Sequence, residues 1–346
     1  MWESGFVVIA LLLIIFISLS FDLGVFTGGY KDKLSLKQSI KRSLIWFSLG
    51  LLSVVAMFFL IPHIHEIHDL NGLVEYQKLY GPSFKLNDDY EASLRSFKWS
   101  SVGAYFSGFL LEYALSVDNL FVMILVFKSF KVKEHNERKI LVYGIVGAML
   151  MRFLFVFIGS AAIQQFHWVL YLFGALLIYS GVKLLFDSED DEFDPNDHIV
   201  MKTVKRLFPV SSVSQDRGHF FVRENGKLHV TTLFVVLLVI ELTDVVFAID
   251  SVPAVFGVTR DPYLVFFSNI FAILGLRSLY FLVGHGIDKF WALQYGLAII
   301  LVFIGGKMIF EDYFHAWGFN HFHNLLVIVS LLAGSLLISV WKPQNK

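Results

Sequence analysis

The sequence predicts an all-α polytopic membrane protein of about nine transmembrane helices, six of them arranged as two inverted three-helix repeats. Three observations lead there. Of 346 residues, 56% are hydrophobic and only 16% are charged, where a soluble domain averages about 25% charged; mean hydropathy is +0.66. Apolar runs long enough to cross a bilayer occur nine times along the chain. The third to fifth of these runs carry polar residues in the same order as the sixth to eighth.

The runs fall at 6–24, 43–61, 100–127, 140–163, 168–186, 230–256, 263–284, 291–311 and 324–341. The first follows Glu3, with no Lys or Arg before it and no small-residue cleavage site, and so reads as a retained helix rather than a signal peptide. Lys31, Lys33, Lys37, Lys41 and Arg42 follow it, which predicts a cytoplasmic loop and an N-terminus outside. Alternation then makes 128–139, 187–229 and the tail cytoplasmic, and 128–139 holds five basic residues. The segments 62–99, 164–167, 257–262 and 312–323 fall outside. The chain thus divides into 1–99 (two helices and an outer loop), 100–187 (first repeat), 188–229 (cytoplasmic loop), 230–312 (second repeat) and 313–346 (outer loop and last helix). Within the cytoplasmic loop, Asn225-Gly226 between short β-prone runs predicts a small hairpin.

The repeat is carried by Glu112-Tyr-Ala-Leu-Ser-Val-Asp118-Asn-Leu and Asp244-Val-Val-Phe-Ala-Ile-Asp250-Ser-Val, with the acids six apart in both. The next run in each half has an arginine seven residues before a glycine, Arg152…Gly159 and Arg277…Gly284. The third has Gly181-Val-Lys183 and Gly305-Gly-Lys307. Three helices is an odd number, so the second copy enters the membrane inverted. Inverted repeats that meet at a polar site near mid-depth are a signature of secondary transporters.

The charges themselves make the stronger argument. Glu112, Asp118, Glu241, Asp244 and Asp250 all lie in apolar runs, where each ionised group costs about 2.5–3.5 kcal/mol on insertion scales. Arg152 and Arg277 offset two of the five, as counter-charges locking the repeats or as parts of a gate. A divalent cation, protons, or both would offset the rest. Oxygen ligands in a chain without cysteine suit Mn²⁺, Mg²⁺ or Ca²⁺, and Asn119 and Ser251 could add neutral oxygens. Glu241 and Asp244 share a helix face, whereas Asp244 and Asp250, six apart, do not. Either Pro253 unwinds the helix around Ala248–Ser251 to bring them together, or they form two subsites along a path.

The bland alternatives are specific too. A single intramembrane acid is often a structural partner of arginine, Lys183 and Lys307 near helix ends are expected to snorkel, and Asn269 is expected to bond between helices. Asp22 reads equally as cavity lining or interface solvation. Outside, His63, His65 and His68, and His315, His321 and His323, are imidazoles that could handle metal, though short histidine clusters are commonly just solvated. The 37 phenylalanines read as packing and lipid-facing residues. No basic patch suits nucleic acid, no nucleotide-binding loop points to ATP, and no His-Glu-x-x-His or Gly-x-Ser-x-Gly arrangement points to a hydrolase.

At Glu112-…-Ser-Val-Asp118-Asn-Leu-Phe-Val, Glu241-Leu-Thr-Asp244-Val-Val-Phe-Ala-Ile-Asp250-Ser-Val-Pro253-Ala and Ser268-Asn-Ile-Phe-Ala-Ile-Leu-Gly-Leu-Arg277, the chain resembles the TerC family of bacterial integral membrane proteins, close to its Alx-type members. The likeness covers most of the chain. It implies a multi-pass protein of the bacterial inner membrane, a family named for tellurium resistance, and manganese export with alkaline response. It also implies metal ligation by the acids of the third and sixth helices. Some members are implicated in supplying metal to exported enzymes. The expectation is therefore a proton-coupled exporter of divalent cations, most simply Mn²⁺, with no prosthetic group and no catalytic activity. The alternative is a metal-delivery partner of the translocon and exported metalloenzymes.

Overall fold

The computed structural model describes residues 2–22, 36–81, 83–186, 218–224, 227–284, 291–319 and 321–341. Its helices are α1 (Trp2–Asp22), α2 (Leu36–Ile64), α3 (Leu70–Tyr80), α4 (Tyr90–Ser129), α5 (Glu134–Gln165) and α6 (Trp168–Phe186). After a hairpin, β1 (Phe221–Glu224) and β2 (Lys227–Val230), come α7 (Thr232–Phe256), α8 (Pro262–Ile273), α9 (Leu276–Gly284), α10 (Ala292–Ile309), α11 (Glu311–Ala316) and α12 (His321–Trp341). Eight helices among the described residues are long and apolar enough to cross a membrane. α8 and α9 are long and apolar enough to do so only as a pair, which is bent by 48° at its junction, the form of a broken span or of a re-entrant segment.

α4 is the axis of the bundle. Its 40 residues reach about 60 Å, twice the hydrocarbon thickness. The sequence starts the span near residue 100 because Glu91, Arg95 and Lys98 interrupt the apolar pattern. The structure carries the helix back to Tyr90, where Asp89 caps it by accepting from the Ala92 amide at 3.0 Å. That extra stretch packs against α3, whose own cap is Asp69. Below it, α4 contacts α2, α7, α8, α9 and α12. α1, α2, α6 and α12 turn exposed apolar side chains such as Phe6, Phe59, Tyr179 and Leu337 outward, as helices bathed in lipid do.

Contacts between the two halves run α4 to α7, α6 to α10, α5 to α7 and α4 to α8. The α6–α10 seam is set by glycines. A Cβ at Gly181 would lie 2.7 Å from the Ala298 carbonyl oxygen, and one at Gly174 would lie 2.9 Å from that of Gly305. Small residues let two backbones approach in this way where lipid supplies no hydrophobic drive.

Two local features differ from expectation. Pro253 does not unwind its helix: α7 runs unbroken from Thr232 to Phe256. Proline forfeits one backbone hydrogen bond, and the segment Ser251–Phe256 is buried throughout, so packing holds it helical. The break lies instead in the seventh span. Leu274 is extended with ψ 129°, and Gly275 has φ +83°, a region that glycine enters freely. A side chain at 275 would also collide with the Trp46 ring.

The hairpin forms as the Asn-Gly signal suggests, with Phe221 opposite Val230 and Glu224 opposite Lys227; Asn225 and Gly226 themselves lie outside the described residues.

Candidate cation site

Glu112 on α4 and Arg152 on α5 form an ion pair through Oε1 and Nη1, with side chains 0% and 1% exposed. Asp244 on α7 is buried at 6% exposure, within electrostatic reach of both. Two carboxylates thus face one guanidinium. The Ser116 hydroxyl, one turn along α4, donates to Glu112 Oε1 at 3.2 Å. Glu112 Oε2 and Asp244 Oδ2 are buried with no hydrogen-bond partner among the described residues. A buried oxygen of this kind ordinarily finds a donor, yet Arg152 Nε and Nη1 are likewise buried without a hydrogen-bond partner among the described residues, so the group holds two carboxylates to one guanidinium with its hydrogen bonding incomplete on both sides.

Asn119 lies seven residues beyond Glu112, two turns along the same face of α4. With Val122, Met123, Ile240, Thr243 and Asp244 it lines a crevice between α4 and α7 that is too narrow for a water molecule. The polar meeting point that the repeat pattern suggests is therefore closed to water in this conformation. Glu241, one turn before Asp244 and within its electrostatic reach, lays its carboxylate against Gly147 of α5, where any Cβ would collide with it. Gly147 escaped sequence reasoning; its signal is the Gly144-x-x-Gly147 pair on one face of α5.

The remaining acids stand elsewhere. Asp250 turns to α6, where the Ser180 hydroxyl donates to Oδ1 at 2.7 Å and Lys183 is in electrostatic reach. A regular helix demands this separation, since six residues turn about 240°. Ser251 beside it is buried, its hydroxyl without a partner among the described residues. The side chains of Asp118 and Asp22 lie outside the described residues. Arg277 is buried at the start of α9, just past the break. Asn269, buried in α8 along with every residue of that helix but Tyr263, does not make the expected interhelical bond: its amide nitrogen and oxygen both lack partners among the described residues. Among the described residues, no three His, Asp or Glu side chains are grouped so as to hold a metal ion.

The histidines separate as well. His65 Nε2 bonds Asp261 Oδ2 at 2.8 Å, and the Tyr76 hydroxyl donates to the same oxygen at 2.9 Å. Asp261 Oδ1 meanwhile accepts from the Tyr263 amide at 2.9 Å and caps α8. Burial first, and Asp261 second, push the Tyr76 phenol well above its ordinary range. This network straps α3 and the end of α2 to the α7–α8 connection. His63 and His68 are exposed, His323 packs its ring on Phe319 at 5.1 Å, and the side chains of His315 and His321 lie outside the described residues. Lys307 does not snorkel to a helix end. It bonds the Gly257 carbonyl at 3.1 Å, because the carboxyl end of α7 presents negative dipole and free carbonyls within its reach. Lys183 is exposed.

Fold and site together define a helical integral membrane protein with an ion-paired acidic group sealed among its spanning helices. The chain belongs to the integral membrane protein TerC family, whose profile matches residues 97–346. It is 43% identical over 238 residues to Alx of Escherichia coli (strain K12), covering 69% of this chain and 73% of that one; the description of that protein as a membrane-bound redox modulator is provisional. An Alx from Photorhabdus laumondii is 35% identical over 347 residues, covering 100% and 96%. The chloroplastic thylakoid membrane protein TERC of Arabidopsis thaliana is 47% identical over 241 residues, covering 70% and 62%. No solved structure matches the chain.

Proposed function

We propose that this protein is a secondary transporter that exports a divalent cation, most simply Mn²⁺, in exchange for protons. It would sit in the bacterial inner membrane with its N-terminus outside. The observation that carries the reading is the charge imbalance of Glu112, Arg152 and Asp244: two buried carboxylates to one guanidinium, with two carboxylate oxygens lacking hydrogen-bond partners among the described residues. An uncompensated carboxylate in low dielectric takes up a proton or a cation, and exchange between the two is the elementary step of antiport.

The donors are oxygens, and with no cysteine in the chain they suit hard ions; thiol–disulfide chemistry by its own side chains is excluded. The crevice is closed, and Asp244 is the acid that lines it among the described residues, so loading requires α4 and α7 to part and Glu241 to swing from Gly147 toward Asp244. Asp250 with Ser180 would be a second station, on the α6 side. Reciprocal contacts between the halves, α4 with α7 and α6 with α10, are what two copies related by an inverting pseudo-two-fold would make.

The competing reading, metal delivery to exported proteins through the outer histidines, finds less support, since His65 is committed to Asp261. The test is cellular manganese. Cells relying on Asp244→Asn should accumulate as much as cells lacking the protein; wild-type levels with normally inserted variant would remove the site from the mechanism.

A further inference from the structure

At the end of the bundle that carries α3, a second cavity opens, about 650 Å³ in volume and well separated along α4 from Glu112. Its walls come from α3, the start of α4, the end of α7, α10, α11 and the start of α12. Pockets of a few hundred to a thousand cubic ångströms, apolar with a few convergent polar groups, are the usual form of an organic-ligand site.

The lining has two features. Aromatic rings supply the walls, among them Tyr80, Phe84, Trp99, Phe314 and Phe319. Among the described residues, the charged side chains lining it are Lys85, Arg260 and Lys307 against the carboxylate of Glu311. Arg260 and Glu311 are paired to each other. Lys307 spends one of its three donors on the Gly257 carbonyl, which leaves two for an occupant. A cation in the wall of an aromatic-lined cavity is complementary to a molecule with an anionic head and an apolar body.

We infer that this cavity binds an organic oxyanion, a carboxylate or phosphate ester carrying an aromatic or acyl group, with the anion on Lys307 and the body against the rings. The anion could belong to a membrane lipid headgroup or to a water-soluble ester; both present the same chemistry to Lys307. The inference does not depend on the cation site, because none of these residues takes part in it.

The experiment uses the full chain in phosphatidylcholine nanodiscs, titrated calorimetrically with phenyl phosphate, benzoate and, as the uncharged control, benzyl alcohol. Saturable binding of the two anions but not of the alcohol is expected. A hydrogen-bonded charge contributes enough that Lys307→Met should weaken anion binding about tenfold or more, with Lys307→Arg restoring most of it. Glu311→Gln, at a partly exposed position that does not endanger folding, frees Arg260 and should strengthen binding. Nanodiscs doped with phosphatidylglycerol separate the two sources: displacement of phenyl phosphate, with lipid retained by wild type and not by Lys307→Met, assigns the site to lipid. Undiminished phenyl phosphate binding assigns it to a soluble anion. Equal affinity in wild type, Lys307→Met and Glu311→Gln, or no saturable anion binding up to about 10 mM with no retained phosphatidylglycerol, would overturn the inference.

Discussion

Removing Arg152 should cost the fold more than removing both members of its ion pair. The guanidinium is buried against Glu112, with Asp244 nearby. Two unit charges about 4 Å apart interact by about 4 kcal/mol at an effective dielectric constant of 20, and breaking a buried pair from one side costs about 3–5 kcal/mol. Arg152→Met should therefore lose about that much, since it leaves two carboxylates facing each other without a counter-charge. Glu112→Gln alone strands the guanidinium but leaves Asp244 to face it, so its cost should be smaller. In the double variant one acid remains, which a proton can neutralise, and stability should return by at least about 2 kcal/mol relative to Arg152→Met. The assay is a double-mutant cycle on purified protein, unfolded reversibly in mixed micelles. Costs that add to within about 0.5 kcal/mol would show that the two side chains do not depend on each other, and the electrostatic argument for the site would fail with them.

Other outcomes follow from single contacts. Gly147→Ala puts a methyl where the Glu241 carboxylate lies; overpacking of this kind costs about 1–3 kcal/mol, and a thermal melt should record it while Glu241→Ala in the same background relieves it. Gly275→Ala meets both a positive φ and the Trp46 ring, and should cost about 1–3 kcal/mol with faster proteolysis near the α8–α9 break. Tyr76 holds its proton far more tightly when folded. Its raised value means that folding is undiminished below the ordinary tyrosine value of 10.0 and loses stability as pH rises beyond it. A pH series of melting temperatures should show a fall above that point, and Tyr76→Phe should flatten it.

Much of this architecture is legible in the sequence. Eight spanning helices, and the bent pair α8–α9 where the sequence expects a ninth, are read from apolar runs of this length, and the hairpin is read from Asn-Gly between β-prone runs, which selects a two-residue loop. The face shared by Glu241 and Asp244, and its separation from Asp250, follow from helical periodicity alone. What was not legible depends on partners distant in the chain. Pro253 is a strong local breaker, yet a buried helix tolerates it. Gly275 is one glycine among 25, and only Trp46 on a different helix reveals why the chain must turn there. His65 reads as a solvated or metal-handling imidazole because its nearest sequence neighbours are His63, Glu66 and His68. Its actual partner, Asp261, lies 196 residues away. Lys307 near a helix end reads as snorkelling until the carboxyl end of α7 is placed beside it. Asn269 shows the opposite failing, a polar residue whose expected bond is not made.

The most direct measurement is flux through purified protein in liposomes loaded with a pH-sensitive dye and a Mn²⁺ indicator. An inward or outward Mn²⁺ gradient should drive proton movement in the opposite direction, and Asp244→Asn and Glu112→Gln, each reconstituted as folded protein verified by its melting transition, should abolish both signals. Mn²⁺ crossing at the wild-type rate in either variant, or no Mn²⁺ crossing in the wild type at any pH, would contradict the claim that the sealed carboxylates carry the ion.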